Sequence, residues 1–168
     1  MFTLPIADYS FEKVTDITPE FLQSRGISQL FLDLDNTIAP YGAKEPTGEV
    51  KNWAADMKNA NIKLFIISNN RSQRPQKFAR ILDISFINRA KKPSLKGIDC
   101  ALHYSGYEKS ETALAGDQIY TDILAANRAD ILSILVKPIK FSNFLLAVRY
   151  GLEFPFRLFT TNKTERKN

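Results

Sequence analysis

Two kinds of hydrophobic pattern alternate along the chain. Short runs in which nearly every residue is apolar predict buried strands, and longer stretches with apolar residues at helical spacing predict amphipathic helices. The strands are predicted at 29–35, 63–68, 85–88, 112–115 and 132–136, and the helices at 19–24, 47–59, 73–82, 95–104 and 119–129. Strand and helix follow each other in regular order, which predicts right-handed crossovers and an α/β fold with a mainly parallel sheet.

Residues 1–28 show neither pattern clearly. We expect an irregular lead-in with one short helix near 19–24, for which Thr18 is the N-cap, Pro19 the first helical residue and Gly26 the residue after the end. The chain has 168 residues, of which 44% are hydrophobic and 24% are charged. This length and composition predict a single domain, 1–168, with a sizeable core.

Polar side chains stand at the C-terminal ends of the predicted strands. The first apolar run leads into Asp33 and Asp35, whose side chains would point to the same face because side chains alternate along a strand. The other candidates at strand ends are Ser68, Asn69, Lys92, Asp117 and Asp122. The carboxyl ends of parallel strands share one edge of the sheet, where open α/β sheets bind ligands. We therefore expect these residues to form one site.

The residue types in this set favour chemistry at phosphorus assisted by a hard cation. Carboxylates suit Mg²⁺, whereas Cys100 and His103 are the only cysteine and histidine and do not form a zinc site. A hydroxyl, an amide and a lysine can hold phosphate oxygens. One carboxylate can attack phosphorus while a neighbouring one protonates the leaving group.

The same residues, in the same order, resemble the four motifs of the haloacid dehalogenase superfamily. These motifs are Asp-x-Asp-x-Thr at positions 33–37, the strand-terminal Ser68, Lys92 before Pro93, and Gly-Asp-x₄-Asp at positions 116–122. More narrowly, almost the whole chain looks like the bacterial YqeG-type phosphatases of subfamily IIIA, which are related to the fungal mitochondrial phosphatidylglycerophosphate phosphatase. The further segments that carry this likeness are 16–19, 68–70, 91–93 and 127–128.

The resemblance implies a haloacid dehalogenase-like fold, a Rossmann-like three-layer sandwich, and a role for each acid. Asp33 would be the nucleophile that forms an aspartyl-phosphate. Asp35 would be the general acid and then the base that activates water. Mg²⁺ would be held by Asp33, the backbone carbonyl of Asp35 and Asp117, and Asp122 would orient water in the second shell of the ion.

The phosphate-binding residues implied by the resemblance are Ser68 and Lys92, and Lys92 would also offset the charge of Asp33. Asn69 either contacts the phosphate or only makes the turn. Family members often carry a cap domain after the first motif or between the second and the third. Here the intervals 37–68 and 68–92 leave room for little more than a helix and a strand each. We therefore expect no cap domain, an open active site and a large substrate.

The C-terminal segment 137–168 carries the whole net charge of the chain, +5. Its part 141–168 is predicted to be a basic, aromatic-rich extension. The apolar residues at helical spacing are Phe141, Phe144, Leu145, Val148 and Leu152, followed by Phe154, Phe156, Leu158 and Phe159. One interpretation is an interfacial anchor for an anionic membrane. The other is a helix that packs on the sheet and is followed by a solvated basic end.

The function predicted from the sequence is that of a Mg²⁺-dependent phosphomonoester hydrolase, with phosphatidylglycerophosphate as the substrate implied by the resemblance. The alternatives are a phosphatase of a nucleotide, nucleic-acid or protein phosphate, and a non-catalytic phosphate-binding module. We recognise no signal peptide and no apolar run approaching about 18 residues, and one cysteine fits a reducing compartment. A cytoplasmic protein is predicted, and attachment to the inner face of the membrane is left open.

Overall fold

The computed structural model describes residues 3–140 and 144–165. The strands are β1 Tyr9–Phe11, β2 Gln29–Leu32, β3 Lys63–Ile67, β4 Ser85–Ile87, β5 Thr112–Gly116 and β6 Leu132–Val136. The α-helices are α1 Pro19–Gln23, α2 Gly48–Asn59, α3 Arg74–Leu82, α4 Lys96–Ser105, α5 Leu124–Ala129 and α6 Phe144–Glu165. Single 3-10 turns cover Val14–Asp16 and Lys109–Glu111, and a π-helical turn covers Ile119–Ile123.

The strands form one parallel sheet in the order β1-β6-β5-β2-β3-β4. β2 is central, because Phe31 lies level with Phe65 of β3 on one side and with Leu114 of β5 on the other. The chain moves outward from β2 to β4 and then returns to place β5 on the opposite side of β2. The strand order reverses between β2 and β5, and the ends of these strands flank the crevice in which open α/β sheets bind ligands.

Hydrophobic layers cover both faces of the sheet. Leu30 and Leu32 belong to one apolar cluster and Phe31 to another, as expected from alternation along a strand. The first cluster includes apolar residues of α2 and α3, and the second includes those of α4 and α5. This arrangement of helices, sheet and helices confirms the predicted three-layer α/β sandwich.

The segments around the central strands contain no cap domain. The interval between β2 and β3 holds the single α-helix α2, and the interval between β3 and β4 holds the single α-helix α3. All residues of both intervals are described, so the prediction of an uncapped domain is confirmed.

The prediction that residues 1–28 are irregular apart from one helix is wrong at Tyr9–Phe11. This segment is β1, an edge strand paired with β6. Three residues are too few to show a periodic pattern, and contacts distant in sequence hold the strand in place. The Asp8 carboxylate accepts hydrogen bonds from the backbone N–H and the hydroxyl of Ser133, at 3.1 and 2.9 Å.

The short helix α1 follows its predicted signals. Thr18 is the N-cap, and its Oγ1 accepts a hydrogen bond from the backbone N–H of Phe21 at 3.2 Å. Pro19 is the first helical residue, where its missing N–H costs no helical hydrogen bond. A threonine N-cap also begins α2, where the side chain of Thr47 accepts a hydrogen bond from the backbone N–H of Val50.

The first predicted strand is shorter than expected. β2 ends at Leu32, and Asp33 still donates its backbone N–H to β5. Asn36 then adopts a left-handed backbone conformation with φ of 65° and donates its N–H to Ala39 at 2.8 Å, which closes a turn. Asp33 and Asp35 therefore lie in the loop after β2 and not within the strand predicted at 29–35.

Helix α6 has one face against the domain and another face exposed. Phe156 packs against an apolar cluster that includes Ile119 and Ile123, as the packing interpretation of the tail predicts. The exposed apolar face consists of Val148, Leu152, Phe154, Leu158 and Phe159. Phe141 and the side chains of Phe144 and Leu145 lie outside the described residues. Neither α6 nor another helix in the described part of the chain is long and apolar enough to span a bilayer.

Candidate active site

The loop after β2 places Asp33 against Lys92. Lys92 Nζ lies 2.7 Å from Asp33 Oδ1 and also donates a hydrogen bond of 2.7 Å to the backbone oxygen of Ile67. Thr37 Oγ1 donates to Asp33 Oδ2 at 3.4 Å. Both charged side chains are buried, where a charge is tolerated only when it is paired and hydrogen-bonded. The contact joins the first and the third sequence motif.

Three buried carboxylates converge at this point. Asp33, Asp117 and Asp122 each offer an oxygen, and these oxygens lie within 4.8 Å of one another. Lys92 Nζ is 2.7 Å from Asp122 Oδ1 as well as from Asp33. The cluster thus contains three acids and one lysine. Its oxygen donors and surplus negative charge fit a hard divalent cation such as Mg²⁺.

Burial and charge shift the pKa of both partners in the ion pair. Burial raises the pKa of Asp33 from 3.8 to about 6, the nearby Lys92 opposes this shift, and Asp122 adds to it. Burial by itself would lower the pKa of Lys92, but the attraction of Asp122 and Asp33 outweighs it, so that the pKa is raised. Lys92 therefore remains a cation at neutral pH.

Asp35 lies outside the carboxylate cluster and has partners of its own. Its Oδ1 accepts a hydrogen bond from Arg74 Nη1, and its Oδ2 accepts one from Asn70 Nδ2 at 3.0 Å. Arg74 also donates to the backbone oxygens of Pro40 and Ala43, at 2.8 Å each. Arg74 therefore ties the loop after β2 to α3. Arg74 was not predicted from the sequence, because a basic residue at the start of a helix is not a distinctive signal.

The residues after β3 support Lys92. Asn69 Nδ2 donates to the backbone oxygen of Lys92 at 3.0 Å, and Asn69 Oδ1 accepts from the backbone N–H of Lys92 at 2.8 Å. Ser68 is buried, and its Oγ accepts a hydrogen bond from the backbone N–H of Asn70 at 3.1 Å. The peptide bond between Lys92 and Pro93 is cis. The amide of Asn69 is thus engaged with the main chain of Lys92.

The loop after β5 depends on the absence of a side chain at Gly116. A Cβ atom at this position would lie 2.4 Å from the Cβ of Asp122, a distance that would force Asp122 to move. Asp122 lies in the π-helical turn Ile119–Ile123, and its Oδ2 accepts a hydrogen bond of 3.1 Å from the backbone N–H of Gln118, the residue that precedes the turn. Such turns occur frequently at functional sites. A steric clash with Asp122 therefore explains why the fourth motif requires glycine at position 116.

Two buried residues of α6 contact the same loop. Arg157 Nη2 donates to the backbone oxygen of Asp117 at 2.6 Å and to Glu153 Oε2 at 2.8 Å. Glu153 Oε1 accepts a hydrogen bond from the backbone N–H of Ile119 at 3.2 Å. Neither residue was predicted from the sequence, because charged side chains in the tail were expected to face solvent or lipid. Their i, i+4 spacing was the available signal.

The fold and these motifs define the class of protein. A family model described as haloacid dehalogenase-like hydrolase matches residues 9–130, and this interval contains every candidate site residue predicted from the sequence. The chain therefore belongs to the haloacid dehalogenase-like hydrolases. It is 35% identical over 142 residues to Probable phosphatase YqeG of Bacillus subtilis (strain 168), covering 84% of this chain and 81% of the relative. The family and this relative together show that the chain is a phosphatase.

Solved structures share the fold. The 3-deoxy-D-manno-octulosonate 8-phosphate phosphatase of Yersinia pestis is similar with a TM-score of 0.55 and 16% identity, over 86% of this chain and 88% of that chain. The phosphatase of the same name from Moraxella catarrhalis, solved with a magnesium ion, a phosphate ion and KDO, gives a TM-score of 0.53 and 18% identity, over 89% and 97% of the two chains. These similarities confirm the fold.

Proposed function

We propose that the protein is a Mg²⁺-dependent phosphomonoester hydrolase that works through an aspartyl-phosphate. One observation carries the proposal: Asp33, Asp117, Asp122 and Lys92 form a buried cluster where β2 and β5 end. The cluster combines a carboxylate nucleophile, oxygen ligands for a cation and an ammonium group beside the nucleophile. Phosphoryl transfer depends mainly on positioning and charge neutralisation.

Two acids carry out the proton and group transfer in this proposal. An oxygen of Asp33 forms a bond to phosphorus as the bond to the leaving oxygen breaks, and Asp35 gives its proton to that oxygen. Asp35 then removes a proton from a water molecule as the water attacks phosphorus. The bond between phosphorus and Asp33 breaks, and inorganic phosphate and the free carboxylate result. Arg74 and Asn70 hold the carboxyl group of Asp35 before substrate binds.

The proposed cation ligands are Asp33, Asp117 and the backbone carbonyl of Asp35, with Asp122 orienting water near the ion. The side chains present fit this role, since the buried cluster supplies oxygen donors and excess negative charge. When bound, Mg²⁺ would neutralise negative charge on the phosphoryl oxygens.

Ser68 and Lys92 are the proposed ligands of the transferred phosphoryl group. The ammonium group of Lys92 would bind a phosphate oxygen while reducing the repulsion between that oxygen and Asp33. We propose that Asn69 contributes by fixing Lys92, because both polar atoms of its amide are bonded to the main chain of this lysine.

Hydrolysis of p-nitrophenyl phosphate tests the chemistry. We expect activity that requires Mg²⁺, disappears in excess EDTA and falls to background in Asp33→Asn. Asp99→Asn is the matched control, because Asp99 is an exposed aspartate of α4, and this variant should keep full activity. Full activity of Asp33→Asn would overturn the proposal.

For the physiological substrate we propose phosphatidylglycerophosphate, which would yield phosphatidylglycerol. The resemblance to phosphatases related to the mitochondrial enzyme supports this choice. The uncapped edge of the sheet leaves space for a large substrate, and the exposed apolar face of α6 offers a surface for lipid. The net charge of +5 in segment 137–168 favours an anionic membrane. This proposal places the protein in the cytoplasm, at the inner face of the membrane.

Mixed micelles that contain phosphatidylglycerophosphate test the lipid proposal. Leu158→Ser and Phe159→Ser should reduce hydrolysis of the micellar lipid and leave hydrolysis of p-nitrophenyl phosphate unchanged. Ile81→Ser, which alters an exposed apolar residue of α3, should change neither activity. An enzyme that ignores this lipid but hydrolyses another phosphomonoester efficiently would contradict the proposal.

The second candidate is a phosphatase of a nucleotide, nucleic-acid or protein phosphate. The same basic segment, 137–168, favours it, because clustered cations bind polyanions. Binding to RNA that weakens steeply with salt, without binding to anionic vesicles, would select this candidate over the lipid phosphatase.

A further inference from the structure

A basic hollow lies at the C-terminal edge of the sheet. It has a volume of about 550 Å³ and is lined by Asn69, Arg71, Arg89 and Lys91. Three of these residues are cations, and none is an acid. Their side chains are exposed, and within residues 3–140 and the described part of α6 none of the three forms an ion pair.

The hollow adjoins the proposed active site. Lys91 directly precedes Lys92, so that their Cα atoms are about 3.8 Å apart. Arg89 donates its backbone N–H to the backbone oxygen of Asn70 at 3.2 Å, and the amide of Asn70 donates to Asp35 at 3.0 Å. The cations are therefore carried by the same loops that hold the phosphate-binding lysine and the proposed general acid.

Two of the cations have an unusual backbone conformation. Arg89 has a φ of 51° and Lys91 a φ of 57°, in the left-handed region that is unfavourable for residues with long side chains. All other non-glycine residues with positive φ in the described chain are Asn or Asp, which tolerate this region. Strained residues cluster at functional sites, and Arg and Lys at these two positions require a reason beyond making a turn.

We propose that this hollow is an anion subsite, and that the substrate carries a second phosphate group besides the phosphate that is removed. The inference rests on the proposed phosphatase function and adds the residues that would bind a second phosphate group of its substrate. Adjacent cations repel each other, whereas a phosphate between them forms charge-assisted hydrogen bonds and removes that repulsion. Arginine is particularly suited to this role because its planar fork matches phosphate oxygens. The second group is either a free phosphate or the phosphodiester of a lipid headgroup.

Three soluble substrates distinguish these sources. They are sn-glycerol 3-phosphate with one phosphate, glycerol 1,3-bisphosphate with two free phosphates, and dihexanoyl phosphatidylglycerophosphate below its critical micelle concentration. We expect kcat/KM for at least one substrate with two phosphates to exceed that for glycerol 3-phosphate by about tenfold or more, the order of magnitude of several exposed ion pairs. The substrate with the higher value identifies the second group as free phosphate or diester.

A variant without the three cations tests whether the hollow causes the preference for substrates with two phosphates. The triple variant Arg71→Gln, Arg89→Asn, Lys91→Asn uses Asn at the two positions with positive φ, and its folding is checked by thermal unfolding. The ratio of kcat/KM for the substrate with two phosphates to that for glycerol 3-phosphate should fall to about one-tenth of the wild-type ratio or less. Arg71→Gln alone, which leaves the strained positions intact, should lose part of the preference. Lys109→Gln, an exposed cation before β5, should retain it.

The outcomes separate the subsite from the reaction. Equal kcat/KM for all three substrates, or a preference that persists in the folded triple variant, would overturn the subsite while the phosphatase proposal stands. A wild-type protein that hydrolyses no phosphomonoester, p-nitrophenyl phosphate included, would overturn the proposed function itself.

Discussion

Arg157 donates a hydrogen bond of 2.6 Å to the backbone oxygen of Asp117, 40 positions earlier in the chain. The contact joins α6 to the loop that carries Asp117 and Asp122, two of the three clustered carboxylates. Glu153, one helical turn before Arg157, offsets the charge of the guanidinium group. Helix α6 therefore supports the candidate site from its buried face while it presents an apolar face to solvent.

Replacement of Arg157 by Met should destabilise the protein and weaken the binding of Mg²⁺. The change removes the guanidinium group from buried Glu153 and from the backbone of Asp117, and breaking a buried ion pair costs about 3–5 kcal/mol. Denaturant unfolding measures the loss of stability, and calorimetric titration with Mg²⁺ measures the affinity. Arg157→Lys keeps the charge without the fork and should be intermediate. Wild-type stability and affinity in Arg157→Met would show that the contact is unimportant.

Gly116→Ala should impair the site through a steric clash. The added Cβ would lie 2.4 Å from the Cβ of Asp122, and overpacking in a close-packed interior costs about 1–3 kcal/mol. We expect a lower free energy of unfolding and a large loss of kcat for p-nitrophenyl phosphate. Gly48→Ala is the control, since no atom apart from its chain neighbours and the backbone of its own helix lies within 4 Å of the position that its Cβ would occupy. Equal behaviour of the two variants would contradict the steric argument.

The centre of the fold was predictable because burial there is uniform. β2 is buried along its whole length, and continuous apolar runs of this kind are recognisable without an alignment. β1 was not predictable, because an edge strand of three residues depends on partners such as Ser133 that lie far away in the sequence. Sequence periodicity reports burial within an element and carries no information on such pairings.

The sequence predicts which residues belong to the candidate site better than it predicts their contacts with one another. The structure brings Asp33, Asp117 and Lys92 together at the sheet edge, as the shared edge of parallel strands implies. The strand predicted at 29–35 is shorter in the structure, because β2 ends at Leu32 and a turn follows, so that Asp33 and Asp35 lie in a loop. Arg74 and the α6 residues were not predicted, since their contacts with Asp35 and with the loop after β5 span long sequence distances. The i, i+4 spacing of Glu153 and Arg157 indicates only the pairing of these two residues.

The raised pKa of Asp33 predicts a pH dependence of stability in the metal-free protein. Burial raises this pKa from 3.8 to about 6, against the opposing attraction of Lys92. Between these pH values the folded protein retains a proton on Asp33 that the unfolded chain has released. The contribution of Asp33 to the free energy of unfolding therefore decreases as pH rises from about 4 to about 6.

Denaturant unfolding in EDTA at several pH values measures this effect. Asp33→Asn cannot titrate at this position, so that the stability of the wild type should decline relative to that of the variant as pH rises through this interval. Asp99→Asn, on the surface of α4, should follow the wild type. A constant difference between the wild type and Asp33→Asn would contradict the raised pKa.

Arg74→Gln should lower kcat for p-nitrophenyl phosphate by about 10- to 100-fold, because a small displacement of a catalytic group has an effect of this order. Arg74 holds Asp35 directly and also binds the backbone oxygens of Pro40 and Ala43. The variant loses all three contacts, so that both the carboxylate and its loop are released. Because the loss concerns the position of the proposed proton donor, kcat should fall more than KM rises.

Arg80→Gln provides the matched control, since it makes the same change at an exposed position of α3. Arg74→Lys separates the effect of charge from that of geometry. Lysine keeps a cation beside Asp35 but lacks the planar guanidinium group that reaches all three acceptors. We therefore expect only partial recovery of kcat relative to Arg74→Gln. Full recovery in the lysine variant would show that charge alone is required. An increase in KM at constant kcat in Arg74→Gln would instead assign Arg74 to substrate binding, because the position of Asp35 affects the chemical step.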